Sequence, residues 1–132
     1  MLTHAPLPPD GVKRSPADFS AWPYRMTIRF SGYGRPETLA NFPALVKLST
    51  SITNFTYAGF LSSAGYDLRF WNAAEPTNLN YEIEQWNTNG TAFAWVQIPT
   101  FTNNCFIWAT WGDPAASNRP AYSTNGATWS AN

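Results

Sequence analysis

The sequence predicts an all-β fold, an antiparallel β-sandwich of jelly-roll type. Three observations lead there. Apolar residues recur with period two rather than 3.6 over several short runs, Gly, Pro, Asn and Asp punctuate the gaps, and no amphipathic stretch is long enough to lay a helix over a sheet. At 132 residues the chain has the length of one domain. Residues 1–18 hold four of its eleven prolines and read as an extended arm or linker, which leaves residues 19–132 for the sandwich. That arm carries no apolar run of the kind a secretory leader has, as expected of a matured chain or of a module from a longer protein.

The first strand follows Trp22 and Pro23, with Tyr24, Met26, Ile28 and Phe30 on one face and Arg25, Thr27 and Arg29 on the other. We expect Trp22 to cap one end of the core and Arg25 to pair with a carboxylate such as Asp67 or Glu84. SGYGRP then breaks the pattern. In NFPALVKLS the residues Phe42, Ala44, Val46 and Leu48 are in phase, and Pro43 puts this strand at an edge or near its own start. Residues 49–66 read as a surface excursion with one short helical turn.

Residues 67–98 supply three further runs, expected to form a meander of consecutive antiparallel strands. Asp67, Arg69 and Trp71 alternate with Leu68 and Phe70, then Tyr81, Ile83 and Gln85 with Glu82, Glu84 and Trp86. In the third run Ala92, Ala94, Val96 and Ile98 alternate with Phe93, Trp95 and Gln97. AAEPTN and NTNG are the turns between them, the Asn-Gly pair accepting positive φ. NCFIWATW at 104–111 is apolar on both faces, as a central strand covered on both sides would be. Residues 115–127 make a loop, and Trp129 ends the chain as part of a last strand or as a plug for the core.

Composition excludes several classes of chemistry. Eight basic and eight acidic side chains cancel, so nothing electrostatic points to nucleic acid. No apolar run approaches the roughly 20 residues of a membrane-spanning helix, so no membrane insertion is expected. With His4 and Cys105 each the single residue of its type, there is no Ser-His-Asp or Cys-His catalysis, no disulfide within the chain and no zinc site. Oxygen ligands in a loop could still hold a structural calcium ion; no other cofactor is expected.

Glu82 and Glu84 are two apart on one strand, hence roughly 7 Å apart on one face, a spacing that paired-carboxylate glycoside hydrolysis can use. A chain this short leaves little material for the deep cleft such an enzyme needs, so no catalytic residue is assigned. The bland alternative for the charges is cross-strand pairing of Asp67 and Arg69 with Glu82 and Glu84. The aromatics say more. Seven tryptophans exceed what a small core requires, and strand parity sets Trp71, Trp86 and Trp95 opposite Phe70, Ile83 and Val96. They are expected to form an aromatic strip on the outer face of one sheet, flat surfaces for sugar rings, with Asp67, Arg69, Asn72, Glu84 and Asn87 as hydrogen-bond partners. Cover by a second sheet or a neighbouring domain is the competing expectation.

The same landmarks carry a resemblance. W-P-Y-R at 22–25, NFPALVKL at 41–48, YDLRFWN at 66–72, LNYEIEQWN at 79–87 and AWVQIP at 94–99, in this order, resemble the bacterial extracellular domain family DUF2341 over residues 22–129. TWGD at 110–113 departs from the Y-Y-G-N expected there. The resemblance implies a secreted or cell-surface β-sandwich module, often set beside sugar-associated modules in long proteins, and implies no catalytic activity. The expected function is accordingly a non-catalytic carbohydrate-binding or adhesion module whose partner is a polysaccharide or other glycan. The alternative is a structural subunit of an extracellular filament or layer, engaging neighbours through its aromatic face and its proline-rich arm.

Overall fold

The computed structural model describes residues 19–73 and 77–130; the arm at 1–18 lies outside them. Six strands form: β1 (Tyr24–Arg29), β2 (Leu39–Leu48), β3 (Arg69–Asn72), β4 (Tyr81–Gln85), β5 (Ala92–Phe101) and β6 (Phe106–Trp111). They make two antiparallel three-stranded sheets, ordered β1-β6-β3 and β2-β5-β4. The pairing is nested, β1 with β6 outside and β2 with β5 inside, which is the winding of a jelly roll cut to six strands. The fold is thus the all-β sandwich that the alternation predicts.

Parity fills the interior. Ala44, Val46 and Leu48 from β2, Ala92, Ala94, Val96 and Ile98 from β5, and Phe70, Tyr81, Ile107 and Ala109 from the other strands are buried together. Each is the inward member of an alternating pair. β6 is the central strand of its sheet, and β2, which carries Pro43, is an edge strand, both as expected.

The meander is corrected. β4 and β5 form a hairpin, with Gly90 N–H bonding to Asn87 C=O across the NTNG turn, but β3 pairs with β6 in the opposite sheet. Only an isolated bridge, Trp71 to Asn78, joins β3 to the approach of β4. The physical reason is length. A hairpin closes in two to five residues, whereas eight residues, 73–80, separate β3 from β4, a length that exceeds the roughly 10 Å between packed sheets.

Residues 49–66 do more than cross the surface. Their single 3-10 turn, Tyr57–Gly59, is expected, but Phe55 is buried and Tyr57 and Phe60 pack on the core. The Phe60 ring stacks on Trp111 at 5.3 Å and 9°, and Trp111 stacks on Tyr24 at 5.9 Å and 8°. Aromatic side chains therefore close this end of the sandwich. A Cβ on Gly59 would sit 2.7 Å from the Tyr24 ring, so any larger residue there would push that ring from its place.

Candidate functional site

Asp67 lies in the turn before β3 and Arg69 opens the strand, and both are buried. The Asp67 carboxylate accepts from the backbone N–H groups of Leu61 (3.0 Å), Ser62 (3.0 Å) and Gly112 (2.9 Å). Arg69 donates to the carbonyls of Tyr66 (2.7 Å), Leu68 (2.9 Å), Ala116 (3.2 Å) and Asn118 (2.9 Å). These charge-assisted bonds tie two loops to the start of the strand. Neither side chain is open to a ligand, and neither shares a face with Glu82 and Glu84, which belong to the other sheet. Both readings of this pair, as sugar ligands and as partners of the two glutamates, are corrected on that ground.

Arg25 is also corrected. It is exposed, and among the described residues it forms no ion pair. Asp67 is engaged elsewhere, and Glu84 lies on the opposite sheet.

The three tryptophans of the expected strip stand in three places. Trp71 does face outward from its sheet, but Phe19, Trp22 and Ala116 cover it, and it is 0 % exposed. Its ring lies 5.5 Å from Phe19 and 6.0 Å from Trp22, and its indole N–H donates to Thr110 Oγ1 at 2.7 Å. Trp22 is therefore structural as expected, though it covers a sheet face rather than an end of the core.

Trp86 fails for a different reason. The β4–β5 register slips between Ile83 and Gln85, so Glu84 is an extra residue in a β-bulge. One extra residue reverses the parity beyond it. Trp86 consequently turns toward the core, half-buried, with its ring 4.9 Å from Phe60 and 5.6 Å from Tyr57. A Cβ on Gly65 would lie 2.7 Å from that ring.

Trp95 alone remains where expected, on the outer face of β2-β5-β4 between Leu45 of β2 and Glu82 of β4. The bulge that turns Trp86 inward also brings Glu84 to Trp95, whose indole N–H donates to Glu84 Oε1 at 2.9 Å. A second ring completes the site. Trp129 ends the 3-10 turn Ala127–Trp129, is 47 % exposed, and meets Trp95 at 5.5 Å and 58°. Its indole N–H donates to Glu82 Oε1 at 3.3 Å. Gln97, two residues beyond Trp95, anchors the segment by donating to the Ser130 carbonyl at 2.6 Å.

Two indoles, each oriented by one carboxylate, thus share an open sheet face. Each carboxylate keeps a second oxygen able to accept hydrogen bonds. The sequence alone points to a strand residue or core plug for Trp129, and only its polar immediate neighbours, Thr128 and Ser130, hint otherwise. Asn72 is remote from this face. Half-buried at the end of β3, it lines a cleft of about 410 Å³ with Ile98, Thr100 and Cys105. Asn87 sits in the exposed hairpin turn, where its side chain accepts from the Asn89 N–H at 3.0 Å. Among the described residues no three His, Cys, Asp or Glu side chains gather as metal ligands, and no helix is long and apolar enough to cross a membrane.

Residues 64–128 match the family model described as a domain of unknown function, DUF2341, which supports the DUF2341-type domain that the sequence motifs suggest. The matched stretch runs from the turn before β3 to the residue before Trp129, and it includes Glu82, Glu84 and Trp95. No curated protein and no solved structure matches the chain.

Proposed function

We propose that this DUF2341-type chain is a non-catalytic carbohydrate-binding or adhesion module that takes sugar rings on Trp95 and Trp129. The observation that carries the reading is the pair itself: an indole 47 % exposed, set against a second one, with both N–H groups already held by Glu82 and Glu84. A large apolar ring left open to water and fixed in orientation is a binding surface in waiting. The apolar face of a sugar ring can cover it, while sugar hydroxyls donate to the free oxygens of the two carboxylates. Using both carboxylates to orient the rings sets them apart from a hydrolytic pair, whose members flank a sugar from opposite sides. A secreted or cell-surface location would bring such a module to surface and extracellular polysaccharides.

Leu45, 39 % exposed beside Trp95, favours a second reading in which a neighbouring subunit of a surface assembly covers the same face. Screening the purified chain against immobilised glycans, with sedimentation over a range of concentrations, separates the two. Binding by a monomer supports the glycan module. Self-association with no glycan bound supports the assembly subunit and contradicts the first reading.

A further inference from the structure

The opposite sheet carries a second, independent feature, at the edge of β1, which among the described residues pairs with β6 alone. The phase of the β1–β6 ladder follows from one bond, Phe30 N–H to Cys105 C=O at 2.9 Å. In an antiparallel ladder, hydrogen-bonded pairs alternate with pairs whose polar groups point outward. Met26 and Ile28 therefore bond toward Ala109 and Ile107, and the N–H and C=O groups of Arg25, Thr27 and Arg29 point away from β6. β1 ends its sheet, and a groove of about 680 Å³ runs beside it. Its lining includes Tyr24, Arg25 and Thr27 of β1, Ile52 and Asn54 from the loop after β2, and Trp22.

The remaining sheet edges differ. The outer side of β3 bonds the approach to β4 through Leu79 N–H to Phe70 C=O, and Ala121–Ser123 and Ala127–Trp129 pack along β4. β2 carries Pro43, which removes a donor from its ladder. β1 has no proline within its span and presents outward backbone groups at alternate residues.

Charge says what fits. Arg25 and Arg29 lie on the same face of β1, roughly 13 Å apart by strand rise, and both are exposed. Neither has a carboxylate partner among the described residues. The Arg29 guanidinium instead donates to the Asn104 carbonyl and lies 5.0 Å from the Phe106 ring centroid. Two-fold pairing of β1 with a second copy, centred on Thr27, would set Arg25 against the second copy's Arg29 at both ends. Like charges directly opposite destabilise a strand pair, which disfavours the second copy as occupant.

We propose that β1 accepts a further strand from a partner protein: an extended peptide segment with acidic side chains at alternate positions. Its backbone would pair with the outward groups of Arg25, Thr27 and Arg29, and its carboxylates would face the two guanidinium groups. This is strand addition at a sheet edge, where backbone bonds supply affinity and alternate side chains supply selectivity.

The test uses the full chain and two short synthetic peptides, one of alternating Glu and Val and one of alternating Lys and Val. Amide hydrogen exchange is followed residue by residue. The glutamate peptide should slow exchange of the Thr27 and Arg29 amides by roughly tenfold or more, and the lysine peptide should not. Added salt should weaken the effect. Substituting Arg25→Glu together with Arg29→Glu should reverse the preference. Thr27→Pro should abolish protection while leaving the melting temperature near that of the parent, because the Thr27 N–H does not bond to β6; if this variant does not fold, the charge-reversal pair decides alone. Equal protection by both peptides, or by neither, overturns the proposal. So does a Thr27 amide already protected without peptide, which would mean that another segment of the chain, or a second copy, fills the edge.

Discussion

Trp95 and Trp129 are 34 positions apart in sequence, yet their rings meet at 5.5 Å because β5 sends Trp95 outward and Gln97 fastens the segment that carries Trp129. The Gln97 amide is doubly engaged, donating to Ser130 C=O and accepting from Asn80 Nδ2 at 3.1 Å. The site is therefore positioned by a residue that touches neither ring in the hydrogen-bond network.

Replacing Gln97 by Leu should release residues 127–130 and disorder Trp129. We expect a loss of about 1–2 kcal/mol in stability, the cost of one buried amide's bonds, together with weaker glycan binding. Tryptophan fluorescence and chemical denaturation read the two effects separately. Unchanged fluorescence would mean that the segment is held by other contacts.

Trp71 should behave as a core residue although it lies outside the sandwich. Trp71→Ala should cost about 3–5 kcal/mol, the range for deleting a buried large aromatic. Phe19 and Trp22 would lose their support with it, so the segment at 19–22 should become protease-sensitive. A variant that melts with the parent would contradict the burial of this ring.

Asp67→Asn should destabilise by about 2–3 kcal/mol, because the carboxylate accepts three backbone N–H groups and an amide offers one acceptor oxygen in place of two. Thermal unfolding measures the loss. Glycan binding by the folded fraction should be unaffected, since Asp67 is on the other sheet from Trp95.

Alkaline pH should loosen the closed end of the sandwich. Burial raises the pKa of the Tyr57 phenol, outweighing the lowering by a hydrogen bond with the Ala92 backbone. Its hydroxyl donates to Leu48 C=O at 2.8 Å, with Gly90 C=O at 3.0 Å. A folded-state pKa above the unfolded value means that this contribution is complete below about pH 10, the ordinary tyrosine value, and is lost as pH rises through the folded value. Tyr57→Phe should flatten the fall in melting temperature above that pH. An equally steep fall in the variant would place the titration elsewhere.

The strands were legible because burial has the period of the strand, as in Ala44, Val46 and Leu48 or in Ala92, Ala94 and Val96. What parity cannot register is a single inserted residue: the bulge at Glu84 reverses Trp86 while every neighbouring residue type stays compatible with the unbulged pairing. Nor does local pattern reveal which sheet a strand joins. Trp71 has the correct outward parity, and only the nonlocal pairing of β3 with β6 and the return of Phe19 and Trp22 bury it. Trp129 was illegible for the same reason, its neighbours being side chains far away in sequence.

The central claim rests on Trp129, and the most direct measurement is glycan affinity and melting temperature of Trp129→Ala beside the parent, for any glycan the parent binds. The ring is exposed and outside the buried core, so the variant should keep the parental melting temperature within a few degrees. Its binding should weaken by about 2 kcal/mol or more, as when an interface hot spot is truncated. A folded variant that binds as tightly as the parent would remove the Trp95–Trp129 face as the sugar platform.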